Sequence, residues 1–316
     1  MGTSIEWVRG EDGSEGATWN FARGCSRVDT ACEHCYAQSL AHRFRGKGQP
    51  YEGLTVLGKH GPRWTGEVRF LPEALSIPLN WRKGRRVFPC SMSDAFHGDL
   101  TNEQIAAAFG VMAATPQHTY VMTTKRAGAM RGWFSWIERQ TSEGQNEADV
   151  CMALAEQEMG HRYDLNPSDR VVQWPLPNVH LGVSAGTQAS ADERIADLLE
   201  TPAVVRWMSL EPLLEPIDLY AFLQTEDRDA ALKALGGHVL PGLDWVVVGG
   251  ESGPGARPCN IEWIEDIVRQ CKAANRPAFV KQIGTAAGLR DRKGSDMQEW
   301  PEALRVREMP AAKGAV

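Results

Sequence analysis

Short apolar segments alternate with amphipathic stretches along most of this 316-residue chain. The apolar segments are rich in Val, Phe and Trp and lack strict alternation, which is typical of strands covered on both faces. Strands that alternate with helices indicate an α/β fold with a parallel sheet. The predicted strands are Thr18–Ala22, Val87–Cys90, Thr119–Thr123, Val179–Val183, Val204–Leu210, Trp245–Val248 and Ala278–Lys281, with a further piece at Glu67–Phe70.

The order of these segments favours a partial or complete parallel (β/α) barrel, with a doubly wound open sheet as the alternative. We expect a single barrel-like domain over residues 1–316, with insertions at about 133–177 and 221–242 that decorate the core. The first insertion contains a helical run, EADVCMALAEQEM. The other predicted helices are Tyr36–Arg45, Pro72–Trp81, Asn102–Ala114, Ala191–Glu200 and Ile261–Ala274.

Three of the seven cysteines, Cys25, Cys32 and Cys35, fall within eleven residues as C-x6-C-x2-C in a loop over 24–36. No apolar run reaches the roughly 20 residues of a membrane helix. We therefore expect a cytoplasmic protein without a membrane partner, in which clustered thiols indicate metal or redox chemistry rather than disulfides. Zinc normally takes four protein ligands, for which His34 or His42 is nearby, whereas three cysteines suit a [4Fe–4S] cluster with one open iron.

Polar residues follow almost every predicted strand, at the end where barrels and parallel sheets bind ligands. Glu211 lies in an otherwise apolar run, and a buried carboxylate is costly unless it is paired, with Lys281 or Arg206 as partner. Two glycines after a buried strand allow the protein backbone to come close to a ligand. The candidate site residues are Ser91, Ser93, Asp94, Lys125, Arg126, Ser184, Thr187, Glu211, Gly249, Gly250, Glu251 and Lys281.

The charge of the chain is uneven. Residues 36–95 hold ten Lys and Arg against four Asp and Glu, whereas residues 151–316 hold 17 against 24 in a chain of net charge -6. An acidic chain binds nucleic acid poorly without specific contacts, but a locally basic segment can hold an anionic substrate.

The cysteine loop after the first predicted strand resembles that of radical S-adenosylmethionine (SAM) enzymes, although their commonest spacing is C-x3-C-x2-C. The chain is most similar to a phage-associated three-cysteine family of poorly defined function, and the fold implied is a barrel of the TIM or radical SAM type. The resemblance covers residues 18–284 through TWNFARGCSRVDTACEHCYA, FPCSMSDAFH, MTTKRAGAM, NVHLGVSAGTQASADERI, RWMSLEPLLEPIDL, DWVVVGGESGPGARP and FVKQIG.

The resemblance implies that Cys25, Cys32 and Cys35 bind three irons of a [4Fe–4S] cluster. SAM would bind the fourth iron and be cleaved to methionine and a 5′-deoxyadenosyl radical, which abstracts hydrogen from substrate. His34 stands where such enzymes usually have an aromatic residue beside adenine, and Asp94, supported by Ser91 and Ser93, would accept from the SAM ammonium. Lys125, Ser184, Gly249, Gly250 and Glu251 would contact the cofactor, and Glu211 and Lys281 would act on cofactor or substrate.

The resemblance also implies an electron donor such as flavodoxin or ferredoxin. A nucleotide or DNA base in a phage context is the substrate we expect, which would place the protein in the host cytoplasm. Isomerase, lyase and transferase reactions all stay open. Two alternatives remain, namely a non-catalytic zinc- or cluster-binding protein and a barrel hydrolase that uses Glu211 and Asp94 as acid and base.

Overall fold

The expected parallel sheet is the largest element of the fold. A computed structural model of the chain describes residues 2–3, 5–9, 16–59, 61–165, 171–223 and 242–311. Its strands are β1 (Gly2–Thr3), β2 (Gly16–Trp19), β3 (Ala22–Arg23), β4 (Thr55–Gly58), β5 (Gly61–Trp64), β6 (Arg69–Phe70), β7 (Arg86–Pro89), β8 (Thr119–Thr124), β9 (Val179–Ser184), β10 (Val205–Leu210), β11 (Trp245–Gly249) and β12 (Ala278–Gln282).

Eight of these strands form one sheet in the order β1-β2-β7-β8-β9-β10-β11-β12, while β3–β6 and β4–β5 form separate pairs. β1 runs antiparallel to β2, whereas β2–β7, β7–β8, β10–β11 and β11–β12 are parallel. Every residue of β9 and β11 is buried, as expected for strands covered on both faces. The α/β class with a mostly parallel sheet is therefore confirmed.

The helices are α1 (Tyr36–Arg43), α2 (Asn102–Ala114), α3 (Ala127–Glu138), α4 (Glu147–Glu158), α5 (Gln188–Glu200), α6 (Tyr220–Leu223) and α7 (Ile261–Ala273). Helices α1, α2, α5 and α7 were predicted to within three residues at each end. Thr101 caps α2, since its side chain accepts from the Gln104 N–H while the Gln104 side chain accepts from the Thr101 N–H. No helix among the described residues is long and apolar enough to cross a membrane.

The helix predicted over Pro72–Trp81 is wrong. The structure has two short 3-10 turns there, Pro72–Ala74 and Pro78–Asn80. Pro78 has no N–H to donate, and its ring would collide with the carbonyl group four residues earlier in an α-helix. Helix α3 and the β4–β5 hairpin were not predicted at all.

The insertion at 133–177 is not a surface decoration. Its helix α4 packs against α2 and buries Ala148, Cys151, Met152 and Ala155. Where the two helices meet, a Cβ on Gly110 would lie only 2.1 Å from the carbonyl oxygen of Cys151. The other insertion, at 221–242, falls almost entirely outside the described residues.

The chain groups into two compact units. The first comprises Met1–Val28, Cys35–His180 and Pro202–Val204, and the second comprises Asp29–His34, Leu181–Thr201 and Val205–Val316. In the first unit, an aromatic core joins α2 to α3 through the stacked rings of Phe109 and Trp133, whose centroids lie 4.4 Å apart. In the second unit, Trp207 packs where a Cβ on Gly182 would lie 2.4 Å from its ring, so β9 requires glycine there.

Substituting Gly110 by Ala should lower the free energy of unfolding by about 1–3 kcal/mol, because the new methyl group overlaps the backbone of α4. The measurement is urea unfolding followed by circular dichroism. Gly132→Ala is the matched control, since nothing lies within 4 Å of a Cβ at that position of α3. The control should gain up to about 1 kcal/mol from helix propensity, and an equal loss in both variants would contradict the close helix crossing.

Candidate functional site

The cysteine loop joins β3 to α1 and carries all three clustered thiols. Gly24 turns the chain out of β3 with φ 93°, and a Cβ there would lie 2.1 Å from the Glu67 carbonyl oxygen. Thr30–Cys32 forms a single 3-10 turn, and Cys35 directly precedes the first residue of α1. The three clustered cysteines are partly buried and none of them forms a disulfide, so the loop carries three reduced thiols.

Cys25 and Cys35 belong to the first unit. Burial, together with the Asp94 carboxylate, raises the pKa of the Cys25 thiol to about 12 despite the lowering effect of Arg126. Because the pKa stays this high with Arg126 beside the thiol, a thiolate at Cys25 requires a metal ion in addition to the guanidinium. Both cysteines pack against a buried cluster formed by Ala37, Ala41, Leu54, Trp64 and Met92.

The Asp94 carboxylate, at the end of β7, accepts from four donors. Its Oδ1 accepts from the Phe96 N–H at 3.0 Å and from the Thr124 hydroxyl at 2.6 Å. Its Oδ2 accepts from the Lys125 N–H at 3.2 Å and from Arg126 Nη1 at 2.9 Å. Two donors on each oxygen fill the usual capacity of a carboxylate. Asp94 therefore binds the end of β8, rather than standing open for the SAM ammonium.

Arg126 links Asp94 to the start of the cysteine loop. Its Nη2 donates to the Ser26 carbonyl oxygen at 3.0 Å and to the Ser26 hydroxyl at 2.8 Å. Its Nη1, besides bonding Asp94, lies 3.9 Å from the Sγ of Cys25. The donors of Arg126, one of the candidate site residues, are thus directed at its own chain.

His97 completes this network. The Asp99 N–H donates to His97 Nδ1 at 3.2 Å, so the neutral ring carries its proton on Nε2. That Nε2 lies 2.8 Å from the Ser26 hydroxyl oxygen and donates to it. Burial, and then the positive charge of Arg126, lowers the pKa of His97. Ser26 is thus held by an arginine and a neutral histidine together.

The serines that follow β7 have other partners than expected. Ser91 exchanges hydrogen bonds with the Asn20 side chain at 3.2–3.3 Å, and its carbonyl oxygen accepts from the Tyr36 hydroxyl at 2.8 Å. The hydroxyl of Ser93 is buried and has no hydrogen-bond partner within the described part of the chain. The structure therefore supports the Asp94 carboxylate through Thr124 and Arg126, and leaves Ser93 with an unused polar atom.

The middle of the cysteine loop, Asp29–His34, belongs to the second unit. Arg194, which is 4% exposed, pairs through Nη2 with the Asp29 carboxylate at 2.6 Å and donates through Nη1 to the Ser184 carbonyl oxygen at 2.5 Å. The Ser184 hydroxyl donates to the Glu211 carbonyl oxygen at 3.4 Å. Ser184, expected beside the cofactor ribose, therefore joins β9 to both its helix and β10.

Arg257 holds the same segment from the other side. It donates to both carboxylate oxygens of Glu251, at 2.6 and 3.0 Å, and to the Thr30 carbonyl oxygen at 3.0 Å. His34 Nδ1 lies 3.1 Å from the same carboxylate. Burial acts to raise the pKa of Glu251, but the Arg257 hydrogen bonds outweigh it and the pKa is lowered. His34 and Glu251, both expected to face the cofactor, pair with each other.

Glu211 pairs with Lys281, one of the two cations expected from the sequence. The Nζ–Oε1 distance is 2.8 Å, and the side chains are 18% and 13% exposed for Lys281 and Glu211. The two residues follow β10 and end β12. Their partial exposure leaves both charges within reach of a ligand, whereas in the Arg257–Glu251 pair the guanidinium is 27% exposed and the carboxylate only 5%.

The glycines after β11 serve close packing of the chain. A Cβ on Gly249 would lie 3.2 Å from Glu211 Oε1, and one on Gly250 would lie 2.5 Å from the Ile283 carbonyl oxygen. Gln282 donates to the Gly250 carbonyl oxygen at 2.9 Å, while its own Oε1 is buried without a partner in the described residues. Gln282 thus adds an unused acceptor beside Glu211.

Sequence reasoning missed several residues that build these networks. Ser26, His97, Arg194, Arg257 and Gln282 were not candidates, although His97 and Arg257 lie within the strand-end motifs SMSDAFH and ESGPGARP. The signal was their position after a strand, shared with residues that were chosen. A helix-borne arginine such as Arg194 gave no such signal.

The donor set of the loop suits an iron–sulfur cluster in kind. Among the described residues, no group of three or more His, Cys, Asp or Glu side chains is placed to hold a single metal ion. Cluster thiolates each bind a different iron, and so they do not converge on one point. Three reduced cysteines supply the soft ligands that such a cluster requires, and the guanidinium beside Cys25 supplies a positive charge next to one of them.

The sheet and its strand-end networks define a mixed α/β protein in which arginines donate hydrogen bonds to the backbone of a three-cysteine loop. The chain belongs to the family described as "Protein of unknown function (DUF5131)", whose family model matches residues 2–309. No curated protein and no solved structure matches the chain.

Substituting Arg257 by Ala should loosen the middle of the loop and lower the free energy of unfolding by about 1–3 kcal/mol, because Glu251 loses its charged donors. The metal-free protein should also alkylate faster at Cys32, measured with iodoacetamide and mass spectrometry. Arg269→Ala is the control, since Arg269 is 73% exposed and pairs with Asp266 at the surface. Equal Cys32 reactivity in both variants would contradict the role of Arg257 in holding the loop.

The same substitution has a pH signature. Because the pKa of Glu251 is lowered in the folded protein, its contribution is full above the ordinary Glu pKa of 4.5 and is lost as the pH falls through the lowered value. The stability difference between wild type and Arg257→Ala should therefore shrink in acid. Urea unfolding at a series of pH values measures this difference, and a gap that widens below pH 4.5 would contradict the assignment.

Proposed function

We propose that this protein is a radical SAM enzyme that binds a [4Fe–4S] cluster and S-adenosylmethionine. The observation that carries the proposal is the loop of three partly buried cysteines, none of them in a disulfide, whose backbone is held by Arg126 and Arg257. Cys25, Cys32 and Cys35 would each bind one iron. Three protein thiolates leave one iron for another ligand, whereas the usual protein-ligated cluster has four cysteines.

When bound, the reduced cluster supplies the electron that cleaves the carbon–sulfur bond of SAM and yields a 5′-deoxyadenosyl radical. The task of the chain is to hold the thiolates, orient the reagents and exclude water. Arg126 offsets the charge of the Cys25 thiolate from 3.9 Å, and Asp94 fixes Arg126 in that position. We therefore assign Asp94 as a positioning residue rather than as a direct ligand of SAM.

Glu211 and Lys281 are the residues we assign to proton transfer or substrate contact. The pair is partly exposed, so a ligand can displace one member and bind the other. Lys281 would hold a proton to donate, and Glu211 would accept one. The buried acceptor of Gln282, close to Gly249 and Glu211, would bind an N–H group of the ligand.

The remaining assignments follow from the same proposal. The mostly parallel sheet would be the partial barrel of the TIM or radical SAM type, and His34, Ser91, Ser93, Lys125, Ser184, Gly249, Gly250 and Glu251 would border the cofactor. A nucleotide or DNA base is the proposed substrate, and a flavodoxin or ferredoxin the proposed electron donor, in the cytoplasm. The structure supports a hydrolase less well, since Glu211 is paired with Lys281 and the Asp94 carboxylate accepts hydrogen bonds from four donors.

The deciding experiment is anaerobic purification with iron and sulfide analysis, followed by incubation with SAM and dithionite. We expect about four irons per chain and release of 5′-deoxyadenosine. Cys32→Ala should lose both, because it removes a cluster ligand. Cys259→Ala is the control, since Cys259 lies outside the loop and should retain both. Stoichiometric zinc without 5′-deoxyadenosine would overturn the proposal, as would an activity that survives Cys32→Ala.

A second experiment separates the cluster from the Glu211–Lys281 pair. Lys281→Met and Glu211→Gln should keep full iron content, because neither residue is a proposed cluster ligand. Each should lower substrate turnover by about 10²–10⁴-fold if the pair transfers a proton. Iron content and 5′-deoxyadenosine release are measured on the same samples, and unchanged turnover would exclude this role for the pair.

A further inference from the structure

A basic surface with exposed apolar side chains lies directly after the cysteine loop in the first unit. It comprises the exposed side chains of α1, of the β4–β5 hairpin and of the segments that follow each of them within residues 36–69, and we call it the α1–hairpin surface. This segment holds six Lys and Arg against two carboxylates, in a chain whose net charge is -6. The six cationic residues, all of them exposed, are Arg43, Arg45, Lys47, Lys59, Arg63 and Arg69.

Helix α1 exposes an apolar stripe that the core does not use. Tyr36, Leu40 and Phe44 recur every four residues and therefore lie on one face of the helix and its C-terminal end. Their exposed fractions are 54%, 40% and 46%. The neighbouring side of the helix is the packed one, where Ala37 and Ala41 contact the cluster of Leu54, Trp64 and Met92.

The hairpin continues this mixture of apolar and cationic side chains. Val56 of β4 stands opposite Arg63 of β5 in the strand register, and both are exposed. Leu57, the next residue, is 73% exposed. An apolar side chain and a cation therefore stand next to each other at the solvent surface of the hairpin.

The surface is ordered before any partner binds. The Tyr36 hydroxyl donates to the Ser91 carbonyl oxygen at 2.8 Å, which fixes the ring while more than half of the residue stays exposed. Of the two carboxylates in the segment, Glu67 pairs with Arg69 and Glu52 accepts from the Gly48 N–H. The other cations are therefore in excess over local carboxylates, and a rigid aromatic ring loses little entropy on binding.

We propose that the α1–hairpin surface binds single-stranded nucleic acid, with Tyr36 and Phe44 stacking on bases and the cations contacting phosphates. Such sites combine a basic track with aromatic rings that accept any base. A membrane-binding helix would present a larger apolar face than the two turns of α1. Because α1 starts directly after Cys35, a bound strand would pass the cysteine loop.

The link from this surface to base chemistry rests on the proposed function, but binding itself does not. The experiment is therefore a binding measurement on the purified full chain, without SAM or reductant. Fluorescence anisotropy of a labelled mixed-sequence DNA strand of about 15 nucleotides is followed from about 50 to 200 mM salt. Binding that persists in a protein without iron would leave this inference standing while the proposed function fails.

Substitutions on the surface should act in two ways. Phe44→Ala should weaken binding by about five- to hundredfold through lost stacking, and Phe44→Trp should restore or tighten it. Lys47→Glu should weaken binding and make the slope of log K against log salt shallower by about 0.7 or more, since a phosphate contact is lost. Circular dichroism spectra of the variants should match wild type, because both side chains are exposed.

Two controls make these results specific. Lys272→Glu changes the net charge equally but lies on α7 in the second unit, and Val171→Ala removes an apolar residue that is 91% exposed. Both should bind DNA like wild type. Equal weakening by Lys47→Glu and Lys272→Glu would overturn the proposal, as would unchanged binding in Phe44→Ala. Binding to anionic phosphatidylserine vesicles that depends on Phe44, with no DNA binding, would overturn it in favour of a membrane.

Discussion

The cysteine loop depends on arginines that join a buried carboxylate to the loop backbone. Arg126 bonds Asp94 and the Ser26 carbonyl oxygen, and in the second unit Arg257 bonds Glu251 and another loop carbonyl group. The two carboxylates are 7% and 5% exposed, so each would be costly to bury without its guanidinium. A guanidinium has five N–H donors in a fixed plane, so it can satisfy the carboxylate and still hold the loop.

This arrangement explains why the second unit includes a short piece of the loop. Asp29–His34 groups with the second unit, whereas Cys25 and Cys35 group with the first. Arg194 and Arg257, both in the second unit, hold that segment there, because Arg194 pairs with Asp29 and Arg257 donates to the Thr30 carbonyl oxygen. Hydrogen bonds to charged groups are stronger than neutral ones, and partial burial protects them from screening.

Strands and strand-end polar groups could be predicted from the sequence, since apolar runs such as β11 are covered on both faces and end in a change of composition. Most partners of those polar groups could not be predicted. Asp94 pairs with Arg126, 32 residues away, which nothing in the sequence indicated, whereas Lys281 was one of two predicted partners of Glu211. No local pattern tells a strand-end carboxylate that binds a ligand from one that binds its own chain. Local effects caused the other errors, as where Pro78 broke a helix.

The electrostatics around Cys25 show which property marks a ligand cysteine in this chain. Burial raises the pKa of Cys25 to about 12, but it does the same for Cys259 and Cys271, which lie outside the loop. Burial is the largest cause of the raised pKa at all three thiols, and at Cys25 the Asp94 carboxylate adds to it. What sets Cys25 apart is a guanidinium 3.9 Å from its sulfur, fixed by a carboxylate that cannot move away from it. Since metal binding requires the thiolate, a fixed positive charge lowers the free energy needed to release the thiol proton.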